Sequence, residues 1–323
     1  MILESILVVT FALILDLIVG DPKNKFHPTS WIGTLIAKIV PIIKNKSPNV
    51  EKIGGIILVV SVTVFVATIL VFLNIEINNI TIEFVASIVS VVVGVILLKT
   101  TIAIRGMEKH AMAVMLSIEK NDLEAARTNL SMIVKRNTKD LDKNHLLSGT
   151  LESISENTVD GVTGPLFYFA FFGIPGAFIY RIINTIDSMI GYKTSIFRNI
   201  GWFGANCDNV LNYLPARITS FVMVIGAMIL GNDWKKSYQI MKRDGKNTES
   251  PNAGYPMAAL AGALGARFEK IDHYCIGEGN QDLTKSHLYS AIALMKITSI
   301  LFCIIFTIPV MIILSYLGWW IHA

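Results

Sequence analysis

GVTGPLFYFAFFGIPGAFIY, residues 161 to 180, runs 20 residues without a charged side chain, and roughly 20 apolar residues are what an α-helix needs to cross a bilayer. The same stretch carries Gly173-Ile174-Pro175-Gly176 beyond its midpoint. A break of that kind marks either a kink in a spanning helix or a re-entrant hairpin. A single spanning helix sets the Glu156 to Asp160 group and the Asn184 to Asp187 group about 36 Å apart at 1.5 Å per residue. A turn at the glycines instead returns both groups to one side of the membrane, and then residues 209 to 232 must dip as well. The sequence leaves both geometries open.

Outward from this segment, residues 53 to 73 and 297 to 321 are also free of charge over 21 and 25 residues. Residues 84 to 104 carry only Lys99, residues 209 to 232 only Arg217, and residues 5 to 19 only Asp16. These give up to six crossings. The composition agrees, with 53% of the 323 residues hydrophobic and 16% charged, against roughly 25% charged in soluble domains. The mean hydropathy is +0.56. Glu4 stands where a secretory signal carries lysines and no small-x-small cleavage site follows, so the first apolar stretch reads as a retained helix. The expected fold is all-α, a polytopic membrane protein forming a single membrane-embedded domain over residues 1 to 323.

Lysine and arginine number 6 in residues 20 to 52, 0 in 74 to 80, 8 in 105 to 160, 3 in 181 to 210 and 8 in 232 to 289. Because basic loops stay on the cytoplasmic side, residues 20–52, 105–160 and 232–289 are expected in the cytosol, with both chain ends outside. Within 106 to 158, Asn121 is a candidate cap with Glu124 three residues later. Leu123, Ala126, Leu130 and Ile133 recur at helical spacing, and Leu146, Leu147, Thr150, Leu151 and Ile154 form a second stripe, so this segment reads as packed helices. No strand pattern or internal repeat stands out. Three cysteines without a C-x-x-C pair read as apolar filler. A net charge of +4 without a basic run interleaved with aromatics gives no reason to expect a nucleic-acid partner.

Glu152, Glu156 and Asp160 lie at i, i+4 and i+8, so a continuing helix places three carboxylates on one face. They read either as a solvated face or as part of a hard-cation site, since magnesium is held by one or two carboxylates and completed by substrate phosphates and water. Arg181, Asn184, Asp187, Ser188, Tyr192 and Lys193 follow at helical intervals after the apolar stretch. Polar groups at that depth are functional candidates; the alternative is a snorkelling Arg181 with Asn184 and Asp187 capping a further helix. Asp21 and His27 in GDPKNKFHP (Gly20 to Pro28) form either a titratable surface pair or a Gly-Asp-Pro turn. ESPNAGYPMAALAGALG (Glu249 to Gly265) joins a Ser-Pro-Asn turn to small residues that admit a ligand or a tight helix crossing equally well. Lys242 and Arg243 before it are suited to phosphate. Phosphate-loop, dinucleotide, zinc-protease and nucleophile-elbow motifs are absent.

Taken together, these residues resemble the adenosylcobinamide-phosphate synthase family of cobalamin biosynthesis, the CobD/CbiB group. The resemblance runs in order through GDPKNKFHP, KRNTKDLD (Lys135 to Asp142), ESISENTVDGVTGPLFYF (Glu152 to Phe169), GIPGAFIYRIINTIDSMIGYK (Gly173 to Lys193), GWFGANCDNVLNYLPARIT (Gly201 to Thr219) and SPNAGYPMAALAGALG (Ser250 to Gly265). Thr29 and Tyr255 stand where relatives often have valine and tryptophan.

The resemblance implies a multi-pass cell-membrane ligase that uses ATP and Mg2+. Such an enzyme joins the carboxylate of adenosylcobyric acid, a corrinoid, to aminopropanol or ethanolamine phosphate. Its implied partners are those substrates, the lipid bilayer and other cobalamin-assembly membrane proteins, and not nucleic acid. On the matching positions, Glu156 and Asp160 are assigned to the metal and nucleotide, with Asp187 as a further catalytic ligand or proton acceptor. Arg181, Lys193 and Arg217 are assigned to phosphate. Asn157, Asn184, Ser250 and Asn252 are assigned to the corrinoid amides, and Ser188, Tyr192, Asp21 and His27 to substrate binding more generally. These roles come from side-chain chemistry; the resemblance does not specify them. A carrier with broken helices and a non-catalytic membrane sensor are the competing readings.

Overall fold

The computed structural model describes residues 2–22, 25, 27–192, 194–279 and 282–319. They form an all-α, polytopic architecture in which a two-stranded hairpin is the sheet seen among the described residues. Among the described residues five helical runs suffice by length and composition to cross a membrane, and a sixth is added if α9 (Trp202–Leu211) and α10 (Tyr213–Ile229) count as one broken span. All six coincide with the stretches expected from the sequence. The chain gathers into two compact units: residues 1–103, 164–211 and 303–323, and residues 104–163 and 212–302.

The first unit holds α1 (Ile2–Val19), α2 (Pro28–Ile43), α3 (Pro48–Asn78), α4 (Glu83–Lys99), α8 (Gly164–Ile190), α9 and α14 (Ile308–Tyr316). Its core joins Ile32 and Ile36 of α2, Leu58, Val59 and Val62 of α3, and Ile182, Ile183, Ile186 and Ile190 of α8. Helix α2 lies within the basic segment 20–52. It starts at Pro28, pre-set for the first helical turn, and buries one apolar face while Lys38 stays outward. The lone charges of two apolar stretches answer each other: Lys99 at the end of α4 pairs with fully buried Asp16 of α1 at 3.4 Å and with Asp21 at 2.9 Å. A charge at such depth persists by finding a partner.

Helix α8 is bent back on itself. Gly173 adopts φ 60°, ψ −151°, a backbone region open essentially to glycine alone. A Cβ built on Gly164 would strike the ring of Tyr180, and Tyr168 stacks on Tyr180 with centroids 5.4 Å apart. A straight helix would separate residues 164 and 180 by about 24 Å. The segment counts as one crossing by hydropathy alone, but the packing of residues 164–180 is that of a helical hairpin. Around its turn Phe167 stacks on Phe306, and Trp319 Nε1 donates to the Phe171 carbonyl at 2.7 Å.

The second unit holds α5 (Ile104–Glu119), α6 (Leu123–Ser131), α7 (Lys143–Thr158), α10, α11 (Trp234–Asp244), α12 (Gly254–Leu264), β1 (Arg267–Lys270), β2 (Tyr274–Gly277) and α13 (Lys285–Phe302). The expected packed helices over 106–158 are present as α5 to α7. The cap of α6 is Asp122, which accepts from Ala125 N, rather than Asn121. The small residues of α12 serve a helix crossing: a Cβ on Gly262 would meet the Lys236 carbonyl at 2.5 Å, and Ser237 Oγ donates to the Ala259 carbonyl at 2.8 Å.

Strands β1 and β2 pair antiparallel from Arg267↔Gly277 to Lys270↔Tyr274. They correct the expectation that strands are lacking. Four-residue strands are too short for alternation to show in sequence. Their pleat also turns Cys275 outward while Ile276 is buried, so the filler reading holds for buried Cys303 and fails for Cys275.

Asp244 anchors this hairpin to α11, accepting from Gly277 N at 2.9 Å and from Arg243 at 2.7 Å. Burial pushes its carboxyl up, but the Arg243 hydrogen bond, the Gly277 N–H and the Arg243 charge together hold it below the ordinary value. Its stabilising contribution is therefore full above the unfolded carboxylate range, about pH 4, and is lost as the pH falls through the lowered folded value. Hydrogen exchange of residues 267–277 should accelerate below about pH 4, and Asp244→Asn should be fast at all pH values.

Candidate active site

Helix α7 begins at Asp142, whose carboxylate accepts from His145 N at 2.9 Å, and carries the apolar stripe Leu146, Leu147, Leu151 and Ile154 entirely into the core. The polar face of this helix is not a solvated one. Glu152 is buried and accepts from Ser148 Oγ at 2.7 Å and Tyr274 Oη at 2.8 Å, with Arg136 Nη2 at 3.4 Å. Ser148 also accepts from Glu269 N at 2.8 Å, so one carboxylate fastens α7 to both strands and to the segment before the helix. Burial first, then the charge and hydrogen bond of Glu152 and the charge of Glu156, raise the Tyr274 phenol above its usual value. Tyr274 is therefore a donor throughout the accessible pH range.

Glu156 and Asp160 differ from Glu152 in being half-exposed. The α-helical face ends at Thr158, and Asp160 sits in a π-helical turn, Val159–Thr163. Such turns are frequent at functional sites. Thr163 holds the turn by donating to the Thr158 carbonyl at 3.1 Å and by sharing a 2.6 Å hydroxyl contact with Thr219 of α10. Asn157 is committed to Ser153, donating to its carbonyl at 2.9 Å and its hydroxyl at 3.2 Å. Among the described residues no group of three His, Cys, Asp or Glu could hold a metal ion, which excludes an all-protein cage there but not the one or two carboxylates with which magnesium is content.

In the same unit Arg217 is layered over Tyr213 at 3.6 Å and Tyr255 at 4.4 Å. It donates to the Tyr213 carbonyl at 2.7 Å, to Asn252 Oδ1 at 3.0 Å and to the Pro251 carbonyl at 3.3 Å. Ser250 Oγ in turn accepts from Asn252 N and Ala253 N, both at 3.3 Å. The three candidates Arg217, Ser250 and Asn252 thus form one clamp that shapes the Ser-Pro-Asn turn. Arg243, a phosphate candidate by sequence, is occupied by Asp244 and Glu278.

In the first unit Asn184 is buried and donates to Asp208 Oδ1 at 3.3 Å, and Arg181 reaches Asn184 Oδ1 at 3.5 Å. Both lie inside α8, which runs on to Ile190, so neither Asn184 nor Asp187 caps a further helix. A Cβ on Gly191 would strike the Asp187 carboxylate; the missing side chain gives that carboxylate its place at the helix end. Ser188 is exposed, Tyr192 packs against Phe197 at 6.2 Å, and Lys193 lies outside the described residues. Asp21 and His27 meet, 3.6 Å apart, beside Lys99.

Sequence reasoning passed over Arg136, Tyr274, Asp208 and Lys99 as partners. Asp208 left a signal, being the sole acid in GWFGANCDNVLNYLPARIT. Replacing Glu152 by alanine should destabilise the second unit by about 3–5 kcal/mol, because it strands Arg136 and removes the acceptor of two hydroxyls. Tyr274→Phe should cost about 1–2 kcal/mol. Denaturant midpoints in lipid nanodiscs measure both.

The family model described as "CobD/Cbib protein" matches residues 9–314. The chain belongs to the CobD/CbiB family. Among curated relatives, this CobD/CbiB member is 39% identical over 300 residues to a "Probable cobalamin biosynthesis protein CobD" of Methanothermobacter thermautotrophicus, covering 93% of this chain and 96% of that one. It is 36% identical to the protein of the same name from Methanocaldococcus jannaschii, covering 98% of each. It is 32% identical to the "Cobalamin biosynthesis protein CobD" of Dehalococcoides mccartyi, covering 91% of this chain and 94% of that one. No solved structure matches.

Proposed function

We propose that this CobD/CbiB member acts in cobalamin biosynthesis as an ATP-dependent ligase. It would join the carboxylate of adenosylcobyric acid to aminopropanol or ethanolamine phosphate, giving adenosylcobinamide phosphate. The observation that carries the reading is the match along nearly the whole chain to relatives named for cobalamin biosynthesis. A carboxylate does not condense with an amine in water unless one of its oxygens becomes a leaving group, which is what the nucleotide supplies. The amine must reach that carbon as the free base.

The residues fit a magnesium ion. Glu156 and Asp160 are half-exposed carboxylates on consecutive turns. These two would hold Mg2+, which would neutralise nucleotide phosphate charge.

Purified protein in nanodiscs, given ATP, magnesium, adenosylcobyric acid and each amine phosphate in turn, should yield a product of the amide's mass. Absence of product with both amines overturns the reading. A carrier remains a second reading because the α8 hairpin is a broken helix of the kind carriers use; nucleotide-independent equilibrium uptake of a corrinoid by proteoliposomes would favour it.

A further inference from the structure

Helix α10 presents Leu214, Ile218, Phe221, Ile225 and Met228 in a row at helical spacing, four of them exposed and Ile218 half-buried. No charged residue follows Arg217 until Asp233. The row continues onto α11, where the Phe221 and Tyr238 rings meet at 6.1 Å. Helix α11 has two unlike faces. Ser237, Ile240, Met241 and Asp244 are buried. On the other side Trp234 and Tyr238 remain 41% and 39% exposed one turn apart, and Lys242 lies a further turn on. Lys235 Nζ lies 5.8 Å from the Trp234 ring and Lys242 Nζ 5.6 Å from the Tyr238 ring. The two acids that flank this face are engaged: Asp233 caps the helix through Lys236 N, and Asp244 is held by Arg243.

We propose that α11 is an interfacial helix that seats this unit on an anionic lipid surface. Trp234 and Tyr238 lie at the headgroup level, and Lys235 and Lys242 face lipid phosphate. The argument is one of order along the surface. An apolar helix face leads into aromatic rings, and these into lysines whose stems run along the rings, which is the sequence of environments met on leaving a bilayer. A protein partner would need acidic groups opposite both lysines and an apolar strip beside them; an anionic leaflet provides both. The inference does not depend on the reaction proposed above, since none of these residues is assigned to it.

The full chain in nanodiscs, with acyl-chain-brominated lipid, tests this through fluorescence. The Trp234 signal is the difference between the natural protein and Trp234→Phe. It should be quenched by brominated lipid, and more strongly by phosphatidylglycerol than by phosphatidylcholine. Lys235→Glu with Lys242→Glu should cut that preference roughly fivefold per lysine, while Lys235→Arg with Lys242→Arg should keep it. A Trp234 signal that neither lipid quenches overturns the proposal, as does equal quenching by both. So does crosslinking of Tyr238→Cys between two copies, which would show this face covered by protein.

Discussion

Alanine at Glu156 or Asp160 is expected to abolish amide formation while leaving the protein folded and in the membrane. The expected loss is at least about two to three orders of magnitude, the scale on which removal of a single group opposing developing charge lowers turnover. Both side chains are half-exposed, whereas Glu152 is buried. The two outcomes are therefore separable. Glu152→Ala should lower the denaturant midpoint first and activity only as a consequence. Glu156→Gln and Asp160→Asn should keep the midpoint and shift the magnesium needed for half-maximal rate upward, because each removes a charge without removing volume. Turnover equal to that of the natural protein in both alanine variants would remove these residues from the metal and nucleotide assignment.

Much of the fold was open to reading because a bilayer imposes a length: stretches of 20, 21 and 25 uncharged residues have few other uses. What escaped were the features decided by partners distant in sequence. Asp16 and Lys99 each weaken an apolar stretch when taken alone and strengthen both when paired at 3.4 Å, but 83 residues separate them. Spacing placed Glu152, Glu156 and Asp160 on one face and had no means of telling that the first would be consumed by Tyr274, 122 positions later. Helix α2 fell below a span's length at 16 residues, with Lys38 and Pro41 inside it. Arg217 was readable as a basic group near lipid; that two tyrosines and a turn carbonyl would claim its guanidinium depended on chain closure. The broken character of residues 161 to 190 was visible in the GIPG motif, yet only the backbone at Gly173 decides between kink and hairpin.

That decision makes a sharp energetic prediction. In the hairpin, a methyl group on Gly164 must displace the ring of Tyr180, which is 1% exposed and so has nowhere to go. Gly164→Ala should cost about 1–3 kcal/mol as overpacking. Gly173→Ala should cost a similar amount, about 1–3 kcal/mol, by forcing a side chain into a backbone region nearly closed to it. Tyr180→Ala alone leaves a cavity and should cost about 3–5 kcal/mol. The informative quantity is the coupling. With the ring removed, the methyl at 164 has space, so the double variant should be less destabilised than the sum of the singles by about 1–2 kcal/mol. If the segment ran straight, positions 164 and 180 would stand about 24 Å apart and their effects would add. Denaturant midpoints of the four proteins in nanodiscs measure the cycle, and strict additivity would return the segment to a single crossing.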